Sequence, residues 1–490
     1  MTMIGAVWKR RDLRSAGRQG GKALFAFTAR SLQQVSTLLI TLLAARFLLP
    51  AQYGVYSLGV VFVILVQTMT YTGFYQFILT AKEEDSLVLS TCFWLIAGLV
   101  SLASLLLALA AYPLERLFHA EPLGSVLVLL ALAQPLASLG AWSSAALLRR
   151  GETTLNFAIM FAQNLVALIG GAALLWFWHS IYALVAFRYL RVVSGAILFA
   201  TFGRDWPSLV FSKDLAIKAT AFSGGLYGSR LLNFLARYAA DLLLGMLHSP
   251  AAVGLYRFGN RVATGATDIF NQPMSNFAAT QFGAAARRDQ DLAVLLGRFA
   301  GTITMLSGIV GAVVIVFAHD VIAIFFHPSY LPALIVTYAL AMRGAAGVGQ
   351  MLVEPAFSAL GRTAWVMMFD LVSTVISVAA IFVASPLGLE ALAWTQALVV
   401  LGTTFWAFHL LRWRGHIRIG GAVRNFAGAI VLSAAYGLVL HLVYRQAMPR
   451  LPVGRIEALG LGLAAAAVLG LAALALAARL RVFSLRAFSG

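Results

Sequence analysis

Charge is what this 490-residue chain has least of: 11% of its residues are Asp, Glu, Lys or Arg. An ordinary soluble domain carries about 25%. Polar side chains are too few to cover the soluble domains its length would allow at about 150 residues each. Cysteine is nearly absent. Cys92 stands alone, which excludes an intramolecular disulfide and any cysteine metal cluster. Lysine is scarce as well, with only Lys9, Lys22, Lys82, Lys213 and Lys218. A catalytic constellation is missing too. Gly17-Arg-Gln-Gly-Gly-Lys22 resembles a phosphate loop, but it is one residue short and Ala23 follows where Ser or Thr belongs. His319-Asp320 and His327 suit interfacial histidines better than a metal site. No outer loop exceeds roughly 15 residues, which argues against membrane polymerases and ligases with a sizeable catalytic loop. The chain therefore reads as no enzyme, with no metal. A nucleic-acid partner is excluded as well, since the formal charge of +18 sits on no solvated domain.

What the chain has in abundance is apolar length. Hydrophobic residues make up 61%, and the mean hydropathy is +0.87. A spanning helix needs about 20 mostly apolar residues. Fourteen such stretches are expected, at roughly 23–45, 54–79, 88–112, 123–147, 154–178, 181–202, 215–245, 251–280, 293–318, 331–356, 363–385, 387–411, 424–444 and 456–478. Pro50, Pro113, Pro250, Pro328 and Pro386 punctuate the joints. The basic segment 1–22 precedes a stretch too long and too polar (Arg30, Gln33, Gln34) for a signal peptide, so a retained first span is expected. Loop charge sets the orientation. With a cytoplasmic N-terminus, 22 Lys and Arg fall in cytoplasmic loops and termini and five in the opposite loops. The expectation is a multi-pass protein of a bacterial inner membrane with both termini in the cytoplasm.

The chain also repeats itself. Pro50-Ala-Gln-Tyr-Gly-Val-Tyr-Ser-Leu-Gly59 returns as Pro250-Ala-Ala-Val-Gly-Leu-Tyr-Arg-Phe-Gly259, with five of ten positions identical at an offset of 200. His119, Leu123 and Ala131-Leu-Ala133 match His327, Leu331 and Ala339-Leu-Ala341 at an offset of 208, a pair that abundant Ala and Leu make less telling. An even number of spans separates the copies. That makes a parallel repeat about an axis along the membrane normal, an architecture of transporters with the substrate site between the halves. The expected fold is all-α and polytopic: a basic N-terminus at 1–22, an N-lobe at 23–202 and a linker at 203–214. A C-lobe at 215–411 follows, then two additional spans and a cytoplasmic end in 412–490.

Nine of the 36 basic residues fall inside the spans: Arg30, Arg188, Arg191, Arg230, Arg237, Arg257, Arg261, Arg298 and Arg343. At roughly 2.5–3.5 kcal/mol each, six or seven at depth imply a cost near 20 kcal/mol that lipid exposure cannot account for. At 100° per residue, positions 0, 7 and 11 lie within about 20° of one line. Span 7 places Arg230, Arg237 and Asp241 there, and span 8 places Arg257, Thr264 and Asp268, with Arg261 one turn on. Span 1 offers Arg30, Thr37 and Thr41, and span 10 Arg343, Gln350 and Glu354. Together they predict a cationic chamber whose candidate anion-binding residues are Arg30, Arg230, Arg237, Arg257, Arg261 and Arg343. The bland alternative is glue, through an intrahelical Arg237–Asp241 pair or Arg257 or Arg261 bridging Asp268 or Glu354. It leaves arginines over. The planar guanidinium fork suits a diphosphate, although 31 of the 36 basic residues are Arg and codon bias would give the same preference.

Three segments carry a resemblance to a known family: Ala45-Arg-Phe-Leu-Leu-Pro-Ala-Gln-Tyr-Gly-Val-Tyr56, Ala146-Leu-Leu-Arg-Arg150, and Tyr238-Ala-Ala-Asp-Leu-Leu-Leu-Gly245 leading into Gly254-Leu-Tyr256. They resemble Wzx-type polysaccharide flippases of the multidrug/oligosaccharidyl-lipid/polysaccharide exporter superfamily, over about residues 23–420. Such proteins often carry an acidic residue where this chain has Thr72 before Gly73. The resemblance implies alternating access and transport of undecaprenyl-diphosphate-linked sugar units for surface polysaccharide. It also implies the lipid bilayer, a lipid-linked oligosaccharide and the polysaccharide polymerase machinery as partners. Asp241, Asp268 and Glu354 are then candidates for coupling to a proton or sodium ion, with no cofactor expected. A peptidoglycan-precursor flippase, a multidrug exporter and a membrane polymerase are the competing readings. The arginine excess argues against a multidrug cation exporter.

Overall fold

The computed structural model describes residues 35–204, 206–447 and 454–483, except the side chains at 266, 268–273 and 276. The expected N-terminal segment 1–22 and Arg30 lie outside the described residues. No strand occurs among the described residues. The first helices are α1 (Val35–Phe47), α2 (Pro50–Thr70), α3 (Thr72–Thr80), α4 (Asp85–Phe118), α5 (Leu123–Leu132), α6 (Gln134–Arg149), α7 (Thr153–Trp178) and α8 (Ile181–Phe202). After a linker come α9 (Lys213–Leu247), α10 (Pro250–Arg287), α11 (Leu292–Phe325), α12 (Ala333–Ala346), α13 (Val348–Ala359) and α14 (Thr363–Ala384). The chain continues through α15 (Leu389–Trp413), α16 (Gly420–Leu442) and α17 (Arg455–Arg479).

Nine helices among the described residues are long and apolar enough to cross a membrane, ten if the bent pair α5–α6 is one span. The expected stretches 215–245 and 251–280 are helical as well, as α9 and α10, but their charged residues set them apart from the apolar nine. Leu102, Leu105, Leu106 and Leu109 of α4 are each more than half exposed, a surface suited to lipid and not to water. Pro113 departs from its expected place. It lies inside α4, which runs on to His119 in the left-handed conformation. The added turn is fastened where the Glu115 carboxylate accepts the Gly124 N–H at 2.6 Å.

Three expected spans are interrupted at one residue: Tyr71 between α2 and α3, Ala133 between α5 and α6, and Gly347 between α12 and α13. Side chains take over backbone groups at two of the breaks. Thr72 Oγ1 donates to the Gln67 carbonyl at 2.8 Å, and Gln134 Nε2 to the Leu130 carbonyl at 2.8 Å.

The chain divides into two compact units. One holds the chain up to Leu48 with Val55–Phe234; the other holds Leu49–Gly54 and everything from Leu235. The division falls within α9, not in the expected linker 203–214. The reason is packing: Leu215 and Ala219 are buried with Phe74, Phe77, Val88 and Trp142 of the first unit.

Within the first unit α4 packs on α5 and α6, α3 on α6, α6 on α8, and α7 on α8. Within the second, α11 packs on α12 and α13, α10 on both of those, both of those on α15, and α14 on α15. With α5 on α8 included, five pairings recur between the units, with α11, α12, α13, α14 and α15 in the places of α4, α5, α6, α7 and α8, in line with the sequence repeat. The repeated glycines follow suit. A Cβ on Gly59 would press on Val126 and Leu130 of α5, and one on Gly259 on Ala333 and Val336 of α12. In the second unit, whose α11 also carries α16 and α17, the two copies meet. A Cβ on Gly54 would collide with the Pro250 carbonyl, and one on Gly254 with the Pro50 carbonyl. That reciprocal crossing requires glycine on both sides.

Candidate functional site

In the second unit the site is built around a buried carboxylate. Asp241 of α9 is 1% exposed and forms an ion pair with the Arg257 Nε of α10. The Arg257 guanidinium also lies over the Tyr238 ring, 4.9 Å from its centroid. Tyr53 and Tyr256 stand close enough to interact with its charge. The alternative of a pair within α9, Arg237 with Asp241, gives way to a pair between helices. The spacing allows the intrahelical pair, but Arg237 is exposed while Asp241 is buried against Arg257 of α10.

A second polar chain joins α10, α12 and α15. Arg343 Nη1 donates to Gln396 Oε1 at 2.9 Å, and Gln396 Nε2 to the Tyr256 hydroxyl at 2.9 Å. Gln396 and Tyr256 are buried, so each needs a partner. The amide orients Arg343 without neutralising it. Two turns toward the C-terminus of Gln396, Gln350 Nε2 donates to Thr403 Oγ1 at 2.8 Å, tying α13 to α15. Glu354, on the same expected stripe, is exposed and close enough to Asp370 for their charges to interact. Arg261 is half-buried on α10, and the Asp268 side chain lies outside the described residues.

In the first unit, Arg230 is half-buried on α9. Arg188 and Arg191, one turn apart on α8, both act on the Tyr71 phenol at the α2–α3 break. Among the described residues no carboxylate forms an ion pair with Arg188, Arg191, Arg230, Arg237, Arg261 or Arg343. Sequence reasoning missed Tyr53, Tyr71, Tyr238, Tyr256 and Gln396. One signal was available, since Tyr256 and its counterpart Tyr56 are among the repeat's identical positions.

Residues 43–334 match the family described as "Polysaccharide biosynthesis protein". The chain belongs to that family. The match takes in whole all three segments on which the Wzx-type resemblance rests, Ala45–Tyr56, Ala146–Arg150 and Tyr238–Tyr256. No curated protein matches the chain in sequence. Among solved structures, the chain is similar to the lipid II flippase MurJ in an inward closed conformation. The TM-score is 0.72 at 11% identity, over 93% of this chain and 99% of that one. It is also similar to an inward-facing multidrug resistance MATE transporter of the MOP superfamily, with a TM-score of 0.63 at 12% identity over 81% and 99% of the two chains. At these identities the likeness speaks for the fold alone, that of a polytopic helical membrane protein.

Proposed function

We propose that this protein is a flippase that moves undecaprenyl-diphosphate-linked oligosaccharides across a bacterial inner membrane, by alternating access, for surface polysaccharide synthesis. The observation that carries the reading is the excess of arginine over acid along α9, α10 and α12. In the second unit, among the described residues, Arg237, Arg257, Arg261 and Arg343 are set against one buried carboxylate, Asp241. Arginine forks receive diphosphate and carboxylate oxygens two at a time. Several moderate contacts also suit a carrier better than one deep trap, because cargo must be released. Arg30 and Arg230 would also hold the anion, while Asp241, Asp268 and Glu354 would adjust arginine availability and couple transport to a proton or sodium ion. Both termini would lie in the cytoplasm, and the delivered units would pass to polysaccharide polymerase machinery.

The test is transport by purified protein in liposomes carrying a fluorescent undecaprenyl-diphosphate oligosaccharide, read as loss of protection from an external quencher. Wild type should expose the inner-leaflet label. Arg237→Gln and Arg261→Gln should slow exposure at equal protein content, and the Lys variants should restore part of it, since charge survives and the fork does not. Full activity of a stable variant lacking both arginines would refute the assignment. A peptidoglycan-precursor cargo is the second reading, favoured by the fold likeness to a lipid II flippase. The same liposomes, loaded with lipid II, distinguish the two.

A further inference from the structure

The linker between α8 and α9 has two unlike sides. Its backbone is held to the start of α4. Ser208 N donates to Ser90 Oγ at 3.1 Å, the two hydroxyls meet at 2.7 Å, and Trp94 Nε1 donates to the Ser208 carbonyl at 3.0 Å. Four residues on, Ser212 N donates to Thr91 Oγ1 at 3.2 Å. The side chains between and beside these pins point away from the protein: Trp206 is 74% exposed, Leu209 91%, Val210 50% and Phe211 50%. Four adjacent large apolar groups left bare would be an aggregation hazard in water.

Depth decides what covers them. α4 has 34 residues and is therefore about 51 Å long at 1.5 Å per residue, against a hydrocarbon core of about 30 Å. Centred in the bilayer, it overhangs by about 10 Å at each end. Ser90, Thr91 and Trp94 lie between about 8 and 14 Å along it from Asp85. The pins thus hold the linker at the edge of the hydrocarbon, beside an indole that is itself 40% exposed. We propose that residues 206–211 are a membrane-interface anchor whose Trp206, Leu209, Val210 and Phe211 side chains insert among the lipids of that leaflet. The Ser208 N–H and carbonyl are satisfied by α4, as burial away from water demands. Its flanks are balanced in charge, with Arg204, Lys213 and Lys218 against Asp205, Asp214 and Glu83. The occupant is therefore the lipid interface in general and not an anionic headgroup in particular.

The test is site-directed spin labelling of the full chain in phosphatidylcholine nanodiscs. Cys92 is buried, so it stays in place and the unmodified protein serves as the blank. Labels at Leu209→Cys and Phe211→Cys are compared with one at Lys82→Cys, in the charged loop between α3 and α4. The expected result at 209 and 211 is high collision with oxygen and several-fold lower collision with a water-soluble nickel chelate than at 82. Replacing part of the lipid with phosphatidylglycerol should leave the values unchanged. Equal nickel access at all three sites would overturn the proposal. Shielding from both reagents would also overturn it, because a protein surface would then cover the strip. Insertion only when phosphatidylglycerol is present would do so as well.

Discussion

Arg149 should be the most destabilising single arginine to lose from the first unit. It ends α6, and its side chain is only 9% exposed. Nη1 donates to the Ile78 carbonyl at 2.5 Å and the Ala81 carbonyl at 2.8 Å, and Nη2 to the Glu83 carbonyl at 2.9 Å. Nε meets Asp85 Oδ1 at 2.7 Å. Ile78 lies in the last turn of α3, whose terminal carbonyls have no partner within the helix, and the positive charge also complements the helix dipole there. A hydrogen bond from a charged donor contributes about 1.5–3 kcal/mol. Three of them share one ordered side chain, so their sum is offset by about 2 kcal/mol of rotamer entropy. The Asp85 pair is 63% exposed on the acid side, so it adds no more than about 1 kcal/mol. Arg149→Ala is therefore expected to cost at least about 3 kcal/mol. Arg149→Lys should lose about half of that, since one ammonium cannot serve Ile78 and Glu83 together. Asp85→Asn should lose less than about 1 kcal/mol. Equilibrium unfolding in detergent ranks the three. If Arg149→Ala unfolds no more easily than Asp85→Asn, the carbonyl contacts contribute nothing and the reasoning fails.

Gly54→Ala and Gly254→Ala should each destabilise by about 1–3 kcal/mol, because each Cβ strikes a proline carbonyl that cannot turn aside. The double variant should cost less than their sum, since the first Cβ already parts the helices; strict additivity in detergent unfolding would contradict the shared crossing. Asp291 accepts from Ala293 N at 2.9 Å and meets Arg418 at 2.5 Å, and these contacts hold its carboxyl below the ordinary value of 3.8. A lowered folded value gives stability that is full above that ordinary value and lost as pH falls through the lowered one. Asp291→Asn should therefore lower the melting temperature at pH 7 and converge on wild type in strong acid; a gap that does not close would contradict it. Gln396→Leu should cost about 1–3 kcal/mol by stranding Tyr256 and Arg343, whereas Gln396→Glu should keep stability and slow transport by neutralising Arg343. Unimpaired transport in the Glu variant would remove Arg343 from the anion path.

Helix positions and the repeat were legible because apolar runs and Gly or Pro at their ends leave a local signature. The breaks at Tyr71, Ala133 and Gly347 were not, because the apolar run continues across each of them. Partners were not legible either, and the Arg149-Arg150 pair shows why. As residues they belong to the family-like segment ending α6. In the structure Arg149 clamps the end of α3, while Arg150 Nη2 reaches the Gly203 carbonyl beyond α8 at 2.8 Å. The second unit repeats the latter device without a sequence match: Arg362, just past α13, donates to the Arg414 carbonyl just past α15. Each arginine leaves a turn whose glycine has positive φ, Gly151 at 78° and Gly361 at 68°. The contact is common to both units although the neighbouring residues differ, so only three dimensions reveal it.

The same distinction sorts the arginines that the helical stripes treated alike. Arg257 is neutralised by Asp241 and covered by Tyr238, so its insertion penalty is already offset within the fold. Arg343 is oriented by an amide and keeps its full charge. Arg230, Arg237 and Arg261 have no carboxylate in ion-pair contact among the described residues. An anion gains most where a charge lacks an internal partner, because binding there adds an interaction and displaces none. Cargo contacts should accordingly concentrate on Arg230, Arg237, Arg261 and Arg343, and Arg257 should behave as a structural residue. Removing Arg257 leaves Asp241 buried and unpaired, which is expected to cost about 3–5 kcal/mol, and removing Asp241 as well should recover much of that loss. The other four should tolerate Gln with the fold intact and fail in transport. A transport-dead but fully stable Arg257→Gln protein would reverse the assignment.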